Sequence, residues 1–290
     1  MRGKSINLFL MDASPVGRMK CTLSNWTGIA YKIPRTELEK CKEREDLTQS
    51  GVYFLFGTDE ETGENVVYIG QADVRKNGNG LLGRLLEHKR NPDKDYWTEA
   101  VVFTTSNNSL GATEISWLES FFCTLAKTAN RYIVKNSNEP SLGKPKEEIV
   151  SDLEEFVEYA KTIMGVLGHK VFEPKSPILT YNIENEKNVQ VFYCRRKGLE
   201  AKGMPTTEGF VLLAGSRVSL QIADYVPNGN KKLREEYAAV IDKDGFLHED
   251  VPCPSPSAAA VFVIGKTANG LIEWKTDGGI TLKNYENTME

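Results

Sequence analysis

Residues 51–70 read GVYFLFGTDEETGENVVYIG, two short apolar runs around a turn of Asp, Glu, Thr and Gly. Runs rich in Val, Ile, Tyr and Phe on either side of such a turn fold as a β-hairpin. Side chains alternate between the two faces of a strand. Val52, Phe54, Val67 and Ile69 therefore belong to one face, and Tyr53 and Tyr68 to the other. The tyrosines can simply pack across the strands, or they can line a site; what surrounds them decides.

The 290 residues suffice for two domains, or for one domain with large additions. At 40% hydrophobic and 26% charged residues the composition is that of a soluble globular protein. No apolar run is long enough to span a bilayer, and the apolar core of the first eighteen residues is too short for a secretory signal, so a cytoplasmic protein is expected. The five cysteines are scattered and form no C-x-x-C pair, which argues against a disulfide framework and a structural zinc site. A net charge of −4 argues against a surface coated in basic residues, but not against a local patch. Residues 71–94 hold six basic side chains (Arg75, Lys76, Arg84, Lys89, Arg90 and Lys94) against Asp73, Glu87 and Asp93.

Short strands are expected in the first 33 residues, then a charged helix over RTELEKCKERED with Thr36 as its N-cap. Helical spacing follows over 80–90, with Leu81, Leu82, Leu85 and Leu86 on one side. Residues 99–106 read as a strand and 113–130 as an amphipathic helix that Thr113 can cap. RYIV at 131–134 suits a short strand, and 146–168 an acidic helix with an apolar stripe. Beyond Pro174 and Pro177 the texture turns to strands, ILTYNI, VQVFYCRR and EGFVLLAGSRVSL, and then to a helix near 231–242. CPSPSAAAVFVIG reads as a helix with Ser255 at the N-cap, Pro256 at N1 and Gly265 just past the end. GLIEWK, TDGG and ITL are expected to close the chain as a hairpin with Trp274 in its core.

Arg84 and His88 stand one helical turn apart on one face. A guanidinium can hold a phosphate in a fork, and a histidine one turn away can take or position a proton. Alone, the pair reads equally as a solvated helix face. Glu119 lies at the edge of an apolar stripe between Ile115 and Phe122. A carboxylate there is costly unless it is paired or binds a metal; a boundary glutamate reaching an arginine or water is the plainer alternative. CRRKG at 194–198 and KKLR at 231–234 are basic enough to touch a nucleic-acid backbone, or they are ordinary surface charge.

Taken together, GVY at 51–53, VYIG at 67–70, Arg84, His88, Glu119 and Asn136 stand in an order that resembles the GIY-YIG nuclease family. The resemblance covers roughly residues 49–140. SPSAAAVFVIGKTANGLIEWK looks like a small uncharacterised domain that follows such modules in bacterial proteins. The resemblance implies an α+β fold, its core a small antiparallel three-stranded sheet flanked by helices. The expected organisation is an N-terminal β-rich extension over 1–48, the nuclease domain over 49–145 and a connecting helix over 146–172. A second α+β domain follows over 173–290, with 231–290 its most distinct module. It further implies a phosphodiester hydrolase acting on nucleic acid, DNA being the expected partner, with one Mg2+ or Mn2+ held mainly by Glu119. Arg84 would stabilise the phosphate, Tyr53 would serve as general base assisted by His88 or Tyr68, and Asn136 would brace the site or contact a phosphate. The gap from Tyr68 to Arg84 is longer than in compact family members, leaving Arg75 as an alternative, while Asn130 and Asn138 compete with Asn136. Arg75, Lys76, Lys89 and Arg90 are the expected nucleic-acid contacts. A non-catalytic nucleic-acid-binding or regulatory protein on the same fold is the rival reading.

Overall fold

The computed structural model describes residues 3–74, 80–136, 143–174 and 190–288. The expected strand ILTYNI and the basic residues Arg75 and Lys76 lie outside the described residues. The chain is mixed α+β and divides into two compact units, Met1–Pro174 and Lys175–Glu290.

The first unit is built on a sheet of seven strands in the order β1-β2-β3-β6-β4-β5-β7. These are β1 (Ile6–Leu10), β2 (Met19–Leu23), β3 (Gly28–Pro34), β4 (Gly51–Thr58), β5 (Asn65–Ala72), β6 (Trp97–Thr105) and β7 (Ile133–Val134). The sheet is larger than the expected three strands, and the strands of the expected N-terminal extension belong to it. β3 pairs along β6 from Gly28↔Thr105 to Pro34↔Glu99, so the first three strands continue the sheet.

β4 is central and covered on both faces, which is why GVYFLF reads as an unbroken apolar run. Val52, Phe54 and Phe56 join a core built by α2 (Ala112–Ala129) and α3 (Glu147–Val166). Tyr53 and Leu55 face the opposite core with Tyr31, Ile33, Trp97 and the leucines of α1 (Gly80–Arg90). The sheet is thus a middle layer with helices on both sides.

Two local expectations change. RTELEKC forms a 3-10 helix entered from Pro34 with no side-chain cap, so Thr36 does not cap it. α2 begins one residue earlier than expected: Gly111 takes the cap position and donates its N–H to Glu114 Oε2 at 3.0 Å, in place of a Thr113 cap.

The second unit centres on a four-stranded antiparallel sheet, β11-β10-β9-β8. Its strands are β8 (Phe192–Arg196), β9 (Leu199–Thr206), β10 (Gly209–Leu212) and β11 (Val251–Cys253). α4 (Asn228–Glu236) ends sooner than the expected 231–242 helix, and a 3-10 turn over Ala238–Val240 follows. α5 (Pro256–Ile264) is apolar all round and wholly in the core from Ala258 on. Ser255 Oγ accepts from Ala258 N at 3.1 Å and Gly265 ends the helix at φ 70°, as the residue pattern predicts. The expected closing hairpin is corrected: GLIE is a short helix, α6 (Gly270–Glu273), and α7 (Leu282–Asn287) ends the fold. An isolated Lys275↔Thr281 bridge spans the TDGG turn, with Thr276 N donating to Ile280 O and Leu282 N to Trp274 O, both at 2.8 Å. Trp274 is fully buried, its indole N–H donating to Pro256 O at 2.9 Å.

Candidate active site at the outer edge of β5

The hairpin register places Tyr53 opposite Gly70 and Leu55 opposite Tyr68, so both tyrosines lie on the α1 face. Their rings are 6.3 Å apart. A Cβ on Gly70 would sit 2.3 Å from Tyr53 Oη, so the Tyr53 ring lies where a side chain would be. A Cβ on Gly51 would meet Phe103 O at 2.2 Å, which makes that glycine a requirement of strand packing. The two glycines of the opening motif thus serve different ends, one the ring and the other the sheet.

α1 brings His88 against the tyrosines. Its Nε2 is 2.6 Å from Tyr53 Oη, and its ring meets Tyr68 edge-on at 5.4 Å between centroids. Both Tyr53 and His88 are buried. Burial, then the cations Lys94 and Arg84, lower the His88 pKa to about 3, while burial first and Tyr68 second raise that of Tyr53. At neutral pH the pair is phenol and imidazole, both uncharged, with a short contact that can pass a proton between oxygen and nitrogen.

Arg84 lies one turn before His88, its side chain about a third exposed, and Nη1 donates to Glu87 Oε2 at 2.7 Å. It is near enough to Tyr53 and Tyr68 to favour their ionised forms. Lys89 and Arg90 end the same helix, and Glu39 faces both of them.

Glu119 arrives from α2, on the other side of the sheet. Gln71, next after the glycine of YIG, points to that side by strand alternation and hydrogen-bonds the carboxylate through side chain and backbone. Burial nevertheless raises the Glu119 pKa, and its charge reaches Tyr68 and Tyr53. The site therefore wraps the outer edge of β5. β7 pairs with Val66 and Val67 of that edge and stops there.

Asn136 continues where β7 stops. Its Nδ2 donates to Ile69 O at 2.7 Å and its Oδ1 accepts from Ile69 N at 3.1 Å. The carboxamide acts as one more rung of sheet and braces the strand that carries Tyr68 and Gly70. Asn130 ends α2 in the left-handed region at φ 48°, a capping role, and Asn138 lies outside the described residues.

Three residues of this site carried no signal in the motif order. Gln71 is an ordinary strand residue until α2 is seen opposite it. Glu87 is the i+3 partner of Arg84. Lys94 sits in a 3-10 turn (Pro92–Lys94) with Nζ 3.3 Å from the centre of the Tyr68 ring. Lys94 could be found in the sequence only as one of the six basic side chains of residues 71–94.

The basic stretches of the second unit are differently engaged. Arg195 pairs with Glu200 and Asp277, both at 3.1 Å, and Arg196 with Glu273 at 3.0 Å. Arg234 of KKLR turns inward and donates to the carbonyls of Phe262 and Ser219. Its burial lowers its pKa to about 10. Arg234 is thus tied into the fold, while Arg195 and Arg196 are engaged in surface ion pairs.

Among the described residues no three His, Cys, Asp or Glu side chains converge as a metal cage. Glu119 alone fits a hard ion of another kind, one that takes a single carboxylate and fills its remaining positions with water and phosphate oxygens. No helix among the described residues is long and apolar enough to cross a membrane.

Comparison with known proteins matches residues 192–286 to the family described as "Domain of unknown function (DUF4357)". No curated protein and no solved structure matches the chain.

Proposed function

We propose that the chain is a metal-dependent endonuclease of the GIY-YIG type, hydrolysing phosphodiester bonds in nucleic acid, DNA first among them, in the cytoplasm. Its catalytic core would be β4, β5, β6, α1 and α2. One observation carries the reading: residues far apart in sequence, Tyr53, Tyr68, Arg84, His88 and Glu119, meet around one strand edge, with Tyr53 and His88 at 2.6 Å. A merely structural hairpin has no need of a buried imidazole–phenol pair beside a guanidinium and a carboxylate.

Glu119 would hold Mg2+ or Mn2+, which supplies charge neutralisation on the scissile phosphate when bound. The protein's own groups do the rest. Arg84 binds a phosphate oxygen and offsets the charge that develops on it in the transition state. Tyr53 accepts a proton from the attacking water as its own passes to His88 Nε2. Burial opposes that transfer in the free protein, and an arriving phosphodiester favours it, since a nearby anion stabilises imidazolium. The water oxygen then forms its bond to phosphorus as the bond to the leaving oxygen breaks. Gln71 aims Glu119, and Asn136 holds β5 in place.

The test is incubation of the protein with labelled single- and double-stranded DNA and RNA, with Mg2+, Mn2+ or chelator, beside Glu119→Ala and Tyr53→Phe. Glu119→Ala should abolish cleavage. Tyr53→Phe should lower the rate by about 10²–10⁴-fold, the usual worth of a positioned proton acceptor. Uncut substrate in every arm of the wild-type protein, or full activity in Glu119→Ala, would overturn the reading.

A further inference from the structure

We propose that Lys94 is a second phosphate-binding cation of this site, holding the phosphodiester next along the strand from the one at Arg84. The proposal deepens the nuclease reading and rests on it for the identity of the ligand.

The placement of Lys94 is fixed by local chemistry. Asn91 Oδ1 accepts from Asp93 N at 2.9 Å, and Lys94 N donates to Asn91 O at 3.1 Å, closing a tight turn straight after α1. Pro92 fixes the first step of that turn. The ammonium then lies over the Tyr68 ring at 3.3 Å, on the side of the site where Arg84 and His88 also stand. Among the described residues no carboxylate pairs with it. The neighbouring Asp95 is held by Arg35 at 2.7 Å, and Asp93 is exposed. Two cations on one catalytic surface, one of them half buried over a ring without a counter-charge, are a costly arrangement for the free protein. An anion with two charged points spaced along it relieves that cost, and a nucleic-acid backbone is such an anion. Lysine serves this purpose as a point charge, where arginine supplies the fork.

The groups facing Lys94 make its charge readable. Burial, then Arg84, lower its pKa to about 8. Tyr96 is pushed up by burial to about 12, Tyr53 and Tyr68 are raised, and His88 is lowered to about 3. Arg84 stays charged throughout. Between pH 7 and 9 Lys94 is thus the facing group whose charge changes.

The experiment measures binding of fluorescein-labelled single-stranded and duplex DNA by anisotropy in chelator, where no strand is cut. Wild type, Lys94→Met and Lys94→Arg are compared across salt and from pH 7 to 9. Methionine keeps the stem against Tyr68, so a packing role alone leaves every readout unchanged. The proposal expects Lys94→Met to weaken binding by about tenfold and to lower the salt slope by about 0.7–0.9, one phosphate contact. It also expects wild-type affinity to fall as pH rises through about 8, with Lys94→Arg resisting that fall. Wild-type salt slope and pH profile in Lys94→Met would overturn the Lys94 proposal and leave the nuclease reading untouched. Lys94-dependent binding with no cleavage in any metal would keep the anion site and remove the nuclease. Absence of DNA binding by the wild-type protein would overturn both.

Discussion

At the scale of single residues, burial keeps the His88–Tyr53 pair of the candidate site neutral near pH 7. His88 shows this most clearly. Its imidazole is buried against Tyr53 and lies in the field of two cations, which lowers its pKa to about 3. In the unfolded chain a histidine titrates near ~6.5. Below that pH the unfolded state binds a proton that the folded state refuses. The stabilising contribution of neutral His88 is therefore whole above about pH 6.5 and is lost as the pH falls toward about 3. Single-proton linkage limits the slope to about 1.4 kcal/mol per pH unit. Carboxylates titrate in the same window, so the measurement is a difference. Urea unfolding of wild type and His88→Gln between pH 7 and 4 should show the wild type losing stability more steeply. Parallel pH profiles would mean that His88 takes up its proton readily in the folded protein. The tyrosine and glycine positions were legible from the motif, and so was the helical Arg84–His88 pair. The depth of their burial was not, because it depends on Tyr31, Ile33 and Trp97, which β3 and β6, outside the hairpin, deliver.

Among elements, the instructive one is β3. Alternation and turn residues forecast strands before residue 34, but nothing in the linear pattern says which edge they join. The structure pairs β3 with β6 over seven residues, and Tyr31 and Ile33 close the core beside Tyr53. A chain beginning at residue 49 would open the β6 edge and strip one wall from that core. Unpaired backbone groups and exposed aromatic surface on a central strand lead to aggregation. Such a truncated chain should be insoluble or lack cooperative unfolding, as read by soluble yield and near-ultraviolet circular dichroism. A well-folded, active product would show that the first three strands are an addition to a self-sufficient core. The closing hairpin failed for a comparable reason. GLIEWK alternates well enough for a strand, yet Asn269 caps a helical turn through Leu271 N at 3.1 Å and burial of Trp274 fixes the rest. Short apolar runs leave helix and strand undecided until the tertiary partners are known.

For the whole molecule, the division of labour follows from where each core lies. The candidate site draws every residue from Met1–Pro174, and that unit encloses two hydrophobic clusters of its own. The second unit has an independent core around Phe192, Phe210, Phe262 and Trp274. Over residues 190–288 it carries as many acidic as basic side chains, and Arg195, Arg196 and Arg234 are engaged within the fold. Broad electrostatic attraction to nucleic acid has little to work with there. Domains with separate cores fold separately, so residues 1–174 and residues 175–290 should each unfold cooperatively on their own. The first should retain metal-dependent cleavage within about threefold of the full chain on non-specific DNA, since the proposed binding and reacting groups all travel with it. The second should cut nothing and change the overall salt slope by less than one phosphate contact. Cleavage kinetics on long and short duplexes, with each half alone and with the two mixed, decide the matter. If the first half folds but is inactive until the second is added back, the residues around β5 are not a complete catalytic set.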